Sequence, residues 1–192
     1  MGVALIVPAF WAAVVYLAAP WWGAEASRWD RRVAAVLTVA IGGGLALALG
    51  KASTWGVLLV GILAVVAVVD RRHRIIPNRL VVAAGLWAIG ERIAAHHWLN
   101  ATILAVAIFL FYFMVHVVTH GGLGMGDVKF ATMLAFALGY PAGLVSMVAG
   151  IWGAGIYAVF LLVARRRGRA DAMALGPFLA FGGLIGLLDL LH

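Results

Sequence analysis

The chain has 192 residues, 66% of them hydrophobic and 11% charged, with a net charge of +7 and no cysteine. A water-soluble domain of this length needs far more polar surface, and the missing thiols exclude disulfides, cysteine nucleophiles, cysteine-ligated zinc and iron–sulfur clusters. The positive excess does not call for nucleic acid as a partner; where the charges fall along the chain is more informative.

Apolar runs that approach the roughly 30 Å core of a bilayer recur along the whole length: 3–19, 33–50, 54–69, 79–95, 100–119, 127–139, 142–164 and 173–190. The expected fold is all-α, a polytopic transmembrane bundle of about eight helices forming one membrane domain over 1–192. No Lys or Arg precedes the first run, so it reads as a mature helix and not as a signal peptide, with only a loose cleavage-site likeness at Ala24, Glu25 and Ala26.

The sixth run is short and ends at Gly139, Tyr140 and Pro141, so charge parity decides whether it spans. With eight spans, Arg28, Arg31, Arg32, Arg71, Arg72, Arg74, Arg79, Lys129 and the cluster 165–169 fall on one side, twelve of the fourteen basic residues; Lys51 and Arg92 fall on the other. The positive-inside rule makes the first side cytoplasmic and puts both termini opposite. Dropping the sixth run would send the 165–169 cluster outward, so the short run is expected to span, with local bilayer thinning or water access near Asp127. Trp21, Trp22, Trp29, Trp55 and Trp98 sit near span ends as an interfacial belt would. Gly182 with Gly186, and Ala149 with Gly153, are small-xxx-small pairs suited to close helix packing.

Seven acids remain to be explained. Asp30 and Asp171 lie among arginines and read as neutralising partners, while Glu91 and Asp189 mark outer ends and Glu25 lies in the first loop. Asp70, closing the third run, and Asp127, opening the sixth in "GGLGMGDVKF", differ: both fall at the same membrane edge, on different helices. Two carboxylates converging in a partly desolvated site share a proton, because like charges close together do not both ionise easily, and one then acts as base and the other as acid on a single water. Gly124 and Gly126 suggest a backbone turn and the close approach of an extended substrate, which side chains would obstruct. Asp127 gains from the positive end of its helix. Lys129 offers a partner for a carboxylate or a lipid phosphate, Pro77 sets the chain before the fourth helix, and Asn78 is a candidate cap for it.

These residues resemble the type IV prepilin peptidases, membrane aspartic proteases with a GxGD motif. "DRRHRIIPNRL" (70–80) is similar to the segment of that family's first aspartate, "GLGMGDVKFATMLAFALG" (122–139) to its second, and "ALGPFLAFGG" (174–183) to its C-terminal Gly-Pro-Phe-Leu stretch, in the family's order. The resemblance implies Asp70 and Asp127 as the catalytic pair, no cofactor or metal for the proteolytic step, and a prepilin or pilin-like precursor as partner. In that family the substrate's basic leader stays in the cytoplasm, its hydrophobic segment lies in the inner membrane, and cleavage between them usually follows a glycine. Longer members carry an insertion between their first two helices, with two cysteine pairs that bind zinc, and also methylate the new N-terminus. The stretch 21–32 here is short and free of cysteine, so neither zinc, S-adenosylmethionine nor methyl transfer is expected, as in the dedicated peptidases of tight-adherence pili.

Other chemistries fit less well. His116 and His120 are spaced to share a helix face, but Val117 stands where an HExxH metalloprotease needs glutamate. Ser27, Ser53 and Ser146 lack the setting of a serine nucleophile, and a presenilin-type Pro-Ala-Leu motif is missing. A transporter using the two aspartates as a proton relay is the alternative from another class, and it requires acids near the midplane. Arg71, Arg72, Arg74 and Arg79 set the orientation or meet anionic membrane lipids.

Overall fold

The computed structural model describes residues 2–17, 27–49, 54–164 and 174–191, and over them it is a helical membrane bundle with no strand. The helices are α1 (Gly2–Leu17), α2 (Arg28–Leu49), α3 (Thr54–His73), α4 (Asn78–Ala94), α5 (Trp98–Val118), α6 (Met125–Leu138), α7 (Ala142–Val163) and α8 (Gly176–Leu191). Trp21, Trp22, Glu25, Lys51, Asp171 and the cluster 165–169, all singled out in the sequence, lie outside the described residues.

α5 and α7 are long and apolar enough to cross a membrane. On α5 the buried positions are Ala101, Ala105, Ile108 and Tyr112, while Ile103, Leu110, Phe111 and Met114 face outward. Small residues inside and large apolar residues outside are what a helix shows when lipid, not water, covers its outer face.

α6 is the centre of the bundle. Val128, Phe130, Ala131, Met133, Leu134, Ala135, Ala137 and Leu138 are all buried in it, against α4, α5, α7 and α8. Its 14 residues extend about 21 Å at 1.5 Å per residue, less than a bilayer core. Four other helices pack around it. Its far end is closed by Arg92, whose guanidinium donates to Ala137 O (3.1 Å from Nε), and by Asn100, whose Oδ1 accepts the Tyr140 amide (2.8 Å).

Two boundaries differ from the sequence reading. α2 starts at Arg28 and not at 33, because Ser27 and Asp30 cap it reciprocally: the Asp30 amide donates to Ser27 Oγ (3.2 Å) and the Ser27 amide to Asp30 Oδ2 (3.0 Å). Asp30 is buried, not a loop charge, and pairs with Arg72 of α3 at 3.0 Å; the Arg72 guanidinium also lies 4.9 Å from the Trp29 ring centre. α3 continues past 69 to His73, so Asp70 belongs to its last turns.

α8 packs on α7 backbone to backbone. A Cβ on Gly182 would overlap Ser146 O, and one on Gly186 would come within 2.5 Å of Ala142 O. The matching ridge of α7 is Ala142, Ser146 and Gly150, one position away from the Ala149–Gly153 pair of the sequence reading. Gly182→Val is therefore expected to destabilise the bundle by about 1–3 kcal/mol or more, as overpacking does, whereas Gly155→Ala, whose Cβ would meet nothing within 4 Å, is silent. Thermal midpoints in detergent check the pair; equal midpoints would contradict the packing.

Candidate active site

The C-terminal ends of α3 and α5 and the N-terminal ends of α4, α6 and α8 meet at one end of the bundle. Asp70 is 5% exposed there. Its Oδ2 accepts the backbone N–H of Gly176, the first residue of α8, at 2.8 Å, which satisfies a buried carboxylate and one of the orphan amides of a helix start together. Only glycine fits: a Cβ at 176 would sit 2.7 Å from that oxygen. Beyond Asp70, Arg74 adopts a left-handed backbone (φ 53°) and donates its amide to Asp70 O, ending α3.

Asp127 lies in the first turn of α6, half-buried, with its amide donating to Gly124 O at 3.0 Å. Asp70, 57 positions earlier in the chain, lies within electrostatic reach of its carboxylate. Its Oδ1 is buried without a hydrogen-bond partner.

A special backbone turn is not what requires the glycines around Asp127. Gly124 has an ordinary extended backbone (φ −65°, ψ 139°), so no special turn demands it. What demands it is space: a Cβ at 124 would sit 3.0 Å from Asp127 Oδ2, and one at 126 would sit 3.3 Å from the Ile76 Cβ. Gly126 thus lets the loop after α3 lie against the first turn of α6, which draws the two acids together. The left-handed glycine of this stretch is Gly121 (φ 84°).

Pro77 precedes α4 in extended geometry, as expected, but Asn78 makes no cap. Its Oδ1 accepts from Lys129 Nζ at 3.3 Å, so that lysine, exposed, ties α6 to α4 through an amide. His116 and His120 do not share a helix face: α5 stops at Val118, and His120 stands in the turn with φ 51°. His116 Nδ1 instead bonds Leu123 O at 2.6 Å, fixing the glycine-rich turn. Tyr112, one turn before His116, escaped the sequence reading; its hydroxyl is buried and feels the charge of Asp127. The one signal for it was a polar tip at the end of the Ala101, Ala105, Ile108 stripe.

Beyond Asp127 the buried face of α6 is apolar. Val128, Phe130, Ala131, Leu134 and Ala135 follow Asp127 along α6, all with 0% exposure, so no chain of polar side chains on α6 leads from the acids to the midplane. α4 and α5 touch little, leaving an apolar groove of about 570 Å³ that includes Val81, Gly85, Phe109 and Met133 and reaches Asn78 and Lys129 at the acid end.

Residues 57–159, more than half of the chain and including both acids, match the model of the type IV leader peptidase family. The chain belongs to that family. It is also 27% identical over 134 residues to the prepilin leader peptidase/N-methyltransferase of Bacillus subtilis strain 168, an alignment covering 69% of this chain and 54% of that protein. The chain thus spans about half the length of the curated relative it matches. No solved structure matches it. The part matching the leader peptidase family runs from α3 into α7 and leaves out α8, whose first amide holds Asp70.

Because the native chain has no cysteine, the approach of Ile76 to Gly126 can be tested by chemistry alone. The 3.3 Å between the Ile76 Cβ and a Cβ placed at 126 is close to the span of a disulfide. The double variant Ile76→Cys/Gly126→Cys should crosslink within one chain on mild oxidation, losing both free thiols to maleimide. Persistent labelling of both in the folded protein would contradict the arrangement.

Proposed function

We propose that the chain is an aspartic endopeptidase that removes the basic leader from prepilins or pilin-like precursors at the cytoplasmic face of the bacterial inner membrane, with Asp70 and Asp127 as its catalytic pair. The observation that carries this reading is the meeting of two carboxylates from separate helices at one end of the bundle, each acting within a partly buried site. The family and the B. subtilis relative, itself a prepilin leader peptidase, support the reaction class and the substrate.

One ionised carboxylate takes a proton from water as the oxygen attacks the scissile carbonyl. The other, protonated, gives its proton to the carbonyl oxygen, forming a neutral tetrahedral diol. Collapse of the diol breaks the C–N bond: one diol hydroxyl returns its proton to the carboxylate that had given one, and the carboxyl that gained the water proton delivers it to the departing amine. One water is consumed, and the pair ends with its single shared proton. The two acids titrate as a unit.

Orientation follows from charge. Arg71, Arg72, Arg74, Arg79 and Lys129 are exposed at the acid end, where cytoplasmic basic residues and anionic headgroups belong. At the other end Arg92 is occupied by Ala137 O. We assign the precursor's hydrophobic segment to the groove between α4 and α5: it is apolar, open on the bundle surface, and reaches Asn78 and Lys129 at the acid end. The leader then meets the arginines, and the junction meets the acids. The proton-relay alternative finds no support in the apolar buried face of α6 beyond Asp127.

Asp70→Asn and Asp127→Asn are each expected to lower processing of a co-expressed pilin precursor at least about 100-fold, the scale of lost acid–base catalysis, with normal membrane expression. The readout is the shortening of the precursor on a gel; wild-type shortening by either variant would overturn the reading.

A further inference from the structure

Among the described residues, two unpartnered polar atoms lie near the paired acids. Tyr112 is 3% exposed, and its hydroxyl has no hydrogen-bond partner; Asp127 Oδ1 is likewise buried and unpartnered. The remaining buried polar atoms without a hydrogen-bond partner lie elsewhere: Asp30 Oδ1, which is ion-paired with Arg72, His73 Nε2 next to it, Ser146 Oγ against α8, and Trp11 Nε1 on α1. Burying a hydroxyl unpaired costs about 1–3 kcal/mol, and phenylalanine would fill the same space without it. Buried phenols generally have a partner.

The positions agree with such a partnership. Tyr112 is the last buried residue of α5 and faces the core that holds Val128 and Phe130 of α6. One turn later, His116 bonds Leu123 O and so fixes α5 relative to the start of α6. The electrostatic influence of Asp127 reaches the Tyr112 hydroxyl. The other groups around the site are accounted for: Asp70 from α3 takes the Gly176 amide, Arg74 lies beside Asp70, and Lys129 turns to Asn78.

We propose that Tyr112 is a positioning residue of the site, its hydroxyl donating a hydrogen bond to Asp127 Oδ1 across one water, and so holding that carboxylate toward Asp70. The assignment rests on the peptidase reading above. Its chemical consequence is that α5 contributes a third polar side chain to a site otherwise built from Asp70 of α3, Asp127 of α6 and the first amide of α8. The donor stabilises the ionised form of the pair and limits the orientations of the Asp127 carboxylate.

The test uses the full chain in detergent micelles and a synthetic peptide with a basic leader, a junction glycine and a hydrophobic segment of about 20 residues. Tyr112→Phe removes only the hydroxyl. The expected result is a kcat lower by about 10- to 100-fold, the scale of a hydrogen bond to a charged group, with KM little changed. The acidic limb of the pH–rate profile moves to higher pH, because a donor to the ionised pair is gone. Wild-type kcat and an unmoved profile would overturn the proposal, as would a lower kcat with an unmoved profile and a lowered thermal midpoint, which marks a packing role. Asp127→Asn is run beside it: if that variant still cleaves, the peptidase reading fails and not merely the role of Tyr112.

Discussion

A carboxylate at the end of an apolar helix must find a donor once it is buried, and Asp70 finds it in the first amide of α8. That bond requires α8 to begin directly against Asp70, which only a glycine at 176 allows. It also requires α8 to be held firmly, and the close backbone contact of Gly182 and Gly186 with α7 supplies the hold. The position of one acid therefore depends on an interface that runs the length of a different helix pair. In lipid, where apolar surfaces gain little by associating, such close backbone packing is the available adhesive.

Asp127 is positioned by a complementary device. α6 is short and surrounded, so its first turn lies within the protein and not in lipid, and Gly126 allows the loop carrying Ile76 to press against it. The result is an end with charge and exposed side chains, above a core in which the buried face of α6 (Val128, Phe130, Ala131, Leu134 and Ala135) is apolar and inaccessible. Peptide hydrolysis needs that division: water admitted at one depth and excluded below it. A proton pathway would need the opposite.

The helices and their order were legible because each apolar run is long and punctuated by arginine, proline or glycine, and parity of the basic residues carried the short sixth run into the bundle. The acid pair was legible for a related reason: two carboxylates at the same membrane edge stand out in a chain with seven acids. What escaped was tertiary. Asp30 read as a neutralising partner among arginines, and it does pair with Arg72, but its burial and its capping of α2 came only from the fold. Asn78 and Lys129 were identified separately, and only the fold joins them. The glycines at 124 and 126 were identified, but their reason is the room needed by Asp127 and Ile76 and not backbone torsion. Tyr112 carried no motif, since one phenol at the end of an apolar stripe has the same pattern as a packing residue. The similarity around Gly176 marked the place without revealing that its amide serves Asp70.

All of this depends on the side chains at 70 and 127 facing a common space, and a chain without native cysteine allows that to be measured directly. The double variant Asp70→Cys/Asp127→Cys, treated with dibromobimane, fluoresces only when one reagent bridges both thiols. The account predicts intramolecular bridging in the folded, detergent-solubilised protein, lost when either cysteine is replaced by serine. Two thiols that each react singly with maleimide while no bridged product forms would contradict it.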